Sequence, residues 1–372
     1  MTTADITLPI DMAAERATSN SNAAQAGVGT LERLPKWLNL VPMIVQWLWL
    51  SLKHRSLTLP SSANPGLTCG GLVGDGKLEY FDMMGPVARS VTATYAFVDN
   101  IGAGSLELAL AAMRDAGLDF PVIVKPNLGW CGFGVRLVRD RAELQDYLCA
   151  YPLGERLVVQ HFVTFEGEAG LYYTRQPGAA RGRIEGILLR SFPRVTGDGM
   201  RTIAQLIDAD ARLKRLGRDG LSEPCCDTRR VPASGEIVRV ATIGSTRVGG
   251  LYCDGSSLIT EEMSAALDDI ARDMKDFHAG RFDVRYESMV ALRAGRGFSI
   301  IEVNGAGSEA VQAWDPRLTL RQAYGIVFKK QRQIFEIGHA MRRNGHEPVS
   351  LRELARHYLR QQRLIRCYPP SN

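Results

Sequence analysis

Three glycines set in a loop between two β-type runs constrain this chain more than any other feature. The run Val122-Ile123-Val124-Lys125-Pro126 leads through Asn127-Leu128-Gly129-Trp130-Cys131-Gly132-Phe133-Gly134 into Val135-Arg136-Leu137-Val138. The spacing is G-x-x-G-x-G. A dinucleotide-binding turn needs G-x-G-x-x-G opening a helix, whereas here a second strand follows. The loop is therefore expected to be a strand–turn–strand flap. Gly129, Gly132 and Gly134 carry no Cβ, so their amides can approach an anion closely. Lys125 ends a buried run, which places its ammonium at the base of the flap, suited to a phosphate as a point charge. Taken alone, an ordinary hairpin with a solvent-facing lysine explains this segment equally well.

A second glycine loop is a near miss. Gly71-Leu72-Val73-Gly74-Asp75-Gly76-Lys77-Leu78 follows the phosphate-loop pattern up to its last position. Leu78 stands where that pattern needs a hydroxyl for magnesium. Lys77 is left as a lysine that meets a phosphate by another route.

The acids lie late in the chain. In Ser299-Ile300-Ile301-Glu302-Val303-Asn304-Gly305 the strand alternation puts Glu302 and Asn304 on one face and Val303 on the other. A carboxylate and an amide oxygen two residues apart suit a hard cation such as magnesium. The run Arg281-Phe282-Asp283-Val284-Arg285 offers a second carboxylate. If the two strands pair, Asp283 faces the same cation, with Arg281 and Arg285 beside it to stabilise a transferring phosphoryl group or an oxyanion. A surface hairpin of salt-bridged charges fails to explain an acid placed directly after Ile300-Ile301.

Strands and helices elsewhere mix without a clean βαβ alternation, so an α+β layout is expected. Strands are expected near 92–98, 156–160, 170–174, 184–191 and 237–241. Helices are expected over 77–84, 105–116, 142–150, 203–216 and 262–277. Residues 56–76 and 217–235 read as loops, the second mobile and charged. Seven cysteines, with no CxxC pair and no Cys/His spacing, exclude a disulfide framework or zinc site and favour a reducing cytoplasm. A net charge of +5 on 372 residues is too mild to point to nucleic acid. Residues 1–30 read as a disordered leader rather than a secretory signal. The stretch 34–52, with Trp37, Trp47 and Trp49, reads as a helix docked on the body. An interfacial membrane helix stays open as the alternative, since the run is too short and interrupted to span.

Together these residues resemble the ATP-grasp superfamily, and within it carboxylate–amine ligases such as D-alanine–D-alanine ligase and the ligase part of cyanophycin synthetase. The likeness runs from about Gly74 to Pro316. Its signatures occur in order: Lys77, VIVKP with the glycine flap, Val159-Gln160-His161-Phe162-Val163, Glu168, RFDVR and IIEVN. Such families set two lysines on the phosphates, matching Lys77 and Lys125, with the amides of Gly129, Gly132 and Gly134 closing over them. They bind adenine at a hinge strand, matching Gln160, His161, Phe162 and Val163, and the ribose by an acid matching Glu168. Their magnesium ligands match Asp283, Glu302 and Asn304, and Arg281 is implied to steady the acyl phosphate. Arg194-Val-Thr-Gly197-Asp198-Gly199-Met-Arg201-Thr202-Ile203 is similar to a segment of cyanophycin-synthetase-like members, with helix capping by Thr202 as the plainer account. Two departures stand out. Gln160 takes a place where glutamate is frequent, and only a leader and a Trp-rich helix precede Lys77 where D-alanine–D-alanine ligases carry a full substrate-binding domain.

The resemblance implies an ATP-grasp fold of two α+β lobes clasping ATP. The expected divisions are a leader (1–30), a reduced pre-ATP-grasp region (31–76), an ATP-grasp domain (77–316, with a lid lobe near 121–163) and a basic helical tail (317–372). It implies ATP with Mg2+ or Mn2+, a small-molecule carboxylate and amine as substrates, and ligation through an acyl phosphate. A phosphotransferase or a non-catalytic ATP-binding protein is the alternative. Glu309 is a candidate for holding the amine, and equally a surface acid. A cytoplasmic protein, with membrane contact through 34–55 left open, is expected.

Overall fold

The computed structural model describes residues 31, 34–217 and 220–372; the expected disordered leader over 1–30 lies outside the described residues. The chain opens with helix α1 (Lys36–His54), followed by short helices α2 (Lys77–Met83) and α3 (Pro86–Ser90). Next come β1 (Tyr95–Asp99), α4 (Ser105–Asp115), β2 (Val122–Pro126), β3 (Arg136–Val138), α5 (Arg141–Ala150) and β4 (Arg156–His161). Strands β5 (Gly167–Thr174), β6 (Arg183–Ser191) and β7 (Arg194–Thr196) precede α6 (Ile203–Ala209), β8 (Ile237–Arg239) and β9 (Leu251–Asp254). The remainder is α7 (Glu261–Arg272), β10 (Ala279–Tyr286), α8 (Met289–Arg293), β11 (Phe298–Asn304), α9 (Leu320–Arg343) and α10 (Leu351–Ile365).

The first sheet has the order β1-β4-β2-β3, antiparallel throughout. Alternation splits its faces. Val122, Val124, Leu157 and Val159 pack with Ala109, Met113, Leu144 and Leu148 of α4 and α5. Ile123, Lys125, Val158 and Gln160 are left on the other face. Each fully buried aliphatic side chain in that core contributes roughly 1.5–3 kcal/mol.

The second sheet, β11-β10-β5-β6-β9, is also antiparallel. Its inner face (Ala169, Leu171, Tyr173, Phe282, Val284, Val303) packs on Met263, Leu267 and Ile270 of α7. Register then fixes the outer face: Glu302 beside Asp283 beside Gly170, and Asn304 beside Arg281 beside Tyr172. Val303 turns to the core while Glu302 and Asn304 do not, as the alternation requires. β4 leaves the first sheet and β5 enters the second, so residues 162–166 are the crossing between them.

Several expectations are corrected. The helix expected over 203–216 stops at Ala209, because Asp210 takes an extended ψ and its carboxylate caps the following turn at Arg212 and Leu213. The one expected over 262–277 ends at Arg272, and β9 was not foreseen. The Pro/Gly stretch 56–76 is a loop in form, yet Leu59, Ser62, Ala63 and Asn64 are buried. Asn64 explains why. Its amide donates to the Gly70 and Ala279 carbonyls and accepts from the His278 and Ala279 amides, clamping the start of β10. Gly71 sits at φ +73° against Gly305, where a Cβ would fall 2.6 Å from the Gly305 Cα. The basic helical tail consists of the two helices α9 and α10. Thr319 caps α9 with Gln322, and Ile334, Phe335, Ile337 and Met341 pack on Leu50 and Leu59. After α10 the chain runs back into the body, burying Tyr368, Ser371 and Asn372.

Candidate active site

Lys125 crosses from one sheet to the other. It extends from the outer face of β2 and donates to Gln160 Oε1 at 2.7 Å and to the Ile301 carbonyl of β11 at 2.7 Å. It is 5% exposed. Burial pushes its ammonium down to about 8, against the pull of Glu302 and with the help of Lys77. The next residue along β11, Glu302, pairs with Lys77 Nζ at 3.0 Å. Burial acts to raise the Glu302 carboxyl, and the Lys77 and Lys125 cations outweigh it and hold it below the usual carboxylate range. Lys77, Lys125 and Glu302, far apart in sequence, thus meet between the two sheets.

Lys77 starts α2. Its amide donates to the Asn127 carbonyl, so the flap's first residue is fastened to the helix that carries the lysine. Gly129 follows directly over it: a Cβ there would lie 2.9 Å from Lys77 Nζ. Gly132 and Gly134 have φ of +74° and +71°, left-handed values that favour glycine. The expected strand–turn–strand flap is what the chain forms. Its outer side is held by the C-terminal segment, where Tyr368 Oη donates to the Leu128 carbonyl at 2.6 Å and Gln361 Nε2 to the Gly129 carbonyl at 3.1 Å. Asn372 adds two bonds to the Leu137 backbone of β3.

Asp283 lies on the outer face of the second sheet, opposite Glu302 in register. It accepts from Arg281 at 2.7 and 2.9 Å, from Arg190 at 3.2 Å and from the Asn304 amide at 3.2 Å. Burial acts to raise its carboxyl; Arg190 and Arg281 override that and hold it low. Arg190 bonds Glu168 at 2.7 Å as well, and Glu168 also meets Arg285 at 3.1 Å. Glu168 is therefore fixed between two arginines. Gln160 is buried between Lys125 and the Ala93 carbonyl, while His161, Phe162 and Val163 lead into the crossing to β5.

Sequence reasoning passed over two residues on this face. Arg190 projects from β6, one strand beyond β5, and no local motif marks it. Lys330 comes from α9, is buried at 8% exposure and lies 5.6 Å over the Tyr172 ring. Burial pushes it down to about 7, with Arg281 acting the same way and Glu309 opposing. Glu309 itself is exposed, and its backbone carbonyl accepts from Arg281.

The face carries Lys77, Lys125, Arg190, Arg281, Arg285 and Lys330 against Glu168, Asp283 and Glu302, an excess of positive charge suited to a polyanion. Asp283, Glu302 and the Asn304 amide are hard oxygen donors on one face of adjacent strands, a set that fits magnesium. Among the described residues no group of three or more His, Cys, Asp and Glu is placed to hold a metal, so the amide is needed to complete this set. The segment at 194–203 sits apart, in the small β7-β8 unit with α6. Asp198 caps the turn at Met200 and Arg201, and Thr202 caps α6 with Gln205, as plain helix capping requires.

Residues 103–172 match the RimK-like ATP-grasp domain family. A D-alanine–D-alanine ligase of Pediococcus pentosaceus is 43% identical over 47 residues, 12% of this chain and 13% of the ligase. Among solved structures, D-alanine–D-alanine ligase from Bacillus anthracis aligns at a TM-score of 0.43 and 13% identity, over 76% of this chain and 71% of that one. A bifunctional glutathione synthetase from Pasteurella multocida aligns at 0.34 and 15%, over 68% and 35%. Such loose superpositions leave the weight on the matched sequence, which spans α4, β2, the glycine flap, β3, α5, β4 and most of β5. Residues 103–172 thus carry the likeness to the ATP-grasp superfamily read from the motifs, in a chain whose described build is α+β.

Proposed function

We propose that this chain is an ATP-dependent ligase that activates a carboxylate as an acyl phosphate for attack by an amine. The observation that carries the reading is Lys125, which bridges from the flap strand to the carbonyl beside Glu302. That geometry sets the base of the flap and the acid strand on the two walls of one cleft.

A carboxylate is a poor acyl donor. Attack of its oxygen on the γ-phosphorus expels ADP and leaves an acyl phosphate. Attack by the amine on the carbonyl carbon then breaks the C–O bond, releases phosphate and gives up the amine's proton. Catalysis of this kind is positioning and charge neutralisation. Lys77 and Lys125 take the phosphate charge, exchanging their present partners for phosphoryl oxygens. The amides of Gly129, Gly132 and Gly134 close over the same oxygens and exclude water. Gln160, His161, Phe162 and Val163 receive the adenine, and Glu168, fixed by Arg190 and Arg285, receives the ribose. Asp283, Glu302 and Asn304 would hold Mg2+, or Mn2+ in its place, which when bound neutralises phosphate charge. Arg281, beside Asp283 on the same face, would face the acyl phosphate and the tetrahedral species.

The test is ADP release with a panel of amino acids and small carboxylates, with mass detection of products. Phosphate together with an amide is expected. A stable phosphorylated product without an amide would make the protein a phosphotransferase. Lys125→Ala and Glu302→Ala are each expected to abolish turnover; unchanged turnover in both removes the mechanism.

A further inference from the structure

Helix α1 presents an apolar stripe that none of the described residues covers. Trp37, Val41, Ile44, Val45, Leu48 and Leu52 follow one another at helical spacing on one side, from 46% exposed at Val41 to 80% at Leu52. The uncovered area is on the order of several hundred Å², the size that marks an interaction face on a soluble protein. The opposite side is fixed to α9. Gln46 Nε2 donates to the Phe328 carbonyl at 2.8 Å, Gln331 Nε2 to the Met43 carbonyl at 3.2 Å, and Trp47 packs edge-on against Phe335. The stripe therefore cannot roll inward.

We propose that this face seats the protein on an anionic lipid bilayer, with α1 lying in the plane of the interface. Charge selects lipid over the other occupants. No Asp or Glu occurs from residue 34 to residue 74, and Lys53, His54 and Arg55 close the helix. Lys53 Nζ lies 5.5 Å over the Trp49 ring, an aromatic–basic pair suited to the headgroup level. On the flank of α9 beside α1, Arg321 and Arg332 are exposed, against the single acid Glu336. A second copy would find no acid on this helix to meet the basic end formed by Lys53, His54 and Arg55. Among the described residues no helix is long and apolar enough to cross a membrane. Pro42, Asn39 and Gln46 break the apolar surface of α1, and Asn39 and Gln46 lie on the side that meets α9. The stripe with its basic flank is the pattern of a helix that lies on a bilayer.

The test is co-sedimentation of the full chain, without nucleotide, with vesicles of phosphatidylcholine alone and of phosphatidylcholine with one-third phosphatidylglycerol. Binding is expected to the anionic vesicles, weakened by salt. The double variant Ile44→Glu/Leu48→Glu is expected to lose at least about tenfold in vesicle affinity, with an unchanged melting temperature and unchanged ADP release in solution. Three results would each overturn the proposal: wild-type chain left in the supernatant, equal binding by the double variant, or a dimer in sedimentation velocity that the double variant abolishes and anionic vesicles fail to compete away. The last would assign the face to a second copy.

Discussion

A lysine kept in a cleft for phosphate should cost the fold something and give it little. Lys125→Met tests this. At neutral pH the buried ammonium is held protonated although burial lowers it from 10.5 to about 8. That shift corresponds to a penalty of about 3 kcal/mol relative to the unfolded chain. The substitution relieves that penalty and forfeits two hydrogen bonds, to Gln160 Oε1 and the Ile301 carbonyl, each worth roughly 1.5–3 kcal/mol for a charged donor. The opposing effects largely offset, so the variant's ligand-free stability should lie within about 3 kcal/mol of wild type. Ligand response should differ sharply. At a hundredfold excess over Kd, Mg-ATP stabilises wild type by about 2.7 kcal/mol, a rise of about 3 °C for a chain of this length. The variant should show none of it. The pH dependence has a definite sign. Lys125 has a depressed folded pKa, so its burial penalty is fully present below about 8 and fades as pH rises toward 10.5, where the unfolded lysine also loses its proton. Wild-type stability should gain from this group across that window while nucleotide affinity falls; the variant should show neither. Differential scanning calorimetry with and without Mg-ATP, from pH 7 to 10, reads both. A variant that melts more than about 5 °C lower without ligand, or that keeps the full nucleotide shift, would refute the argument and make Lys125 a structural residue.

Arg190→Met should destabilise the protein by about 3 kcal/mol, because it removes one partner from both Glu168 and Asp283 while Arg285 and Arg281 remain on each; urea denaturation measures it. Lys330→Met should instead raise stability at neutral pH by a few kcal/mol, since burial already lowers that lysine to about 7 and the described residues give it no ion pair. That gain should shrink as pH rises from 7 toward 10.5, because the wild-type penalty fades over that interval, and parallel melts of the two proteins at pH 7 and 10 check it.

What the sequence made legible, and what it did not, divides on the range of the interaction. Alternation in IIEVN and RFDVR is a local property with period two, so it set Glu302 with Asn304 and Asp283 with Arg281; that the two pairs share a face depended on the strands pairing, which the register supplies. The glycine spacing, with a strand on each side, was enough to foresee the flap. Helix in the tail was expected as well, though the Thr319–Gln322 cap that starts α9 was not read from the sequence. Arg190, Lys330 and Tyr368 follow another logic. Arg190 reaches Asp283 only because β5 lies between β6 and β10, an order that no single strand encodes. Lys330 looks like any surface lysine in a basic helix, and only the docking of α9 on the second sheet buries it. Tyr368 and Asn372 fell within the expected helical tail, and they hold the flap and β3 from outside. The same limit explains the Pro/Gly stretch 56–76. Its composition announces a loop, and only Asn64, bonded to backbone groups more than two hundred residues away, shows that the loop is part of the core. Helix α1 completes the contrast. Its apolar stripe was legible in the sequence, and so was its basic flank, yet which side faces α9 depends on Gln46 and Gln331 finding carbonyls on each other's helix. Once those two bonds fix the rotation, the stripe left bare by the described residues becomes a consequence of the fold, and a bilayer is the occupant proposed for it.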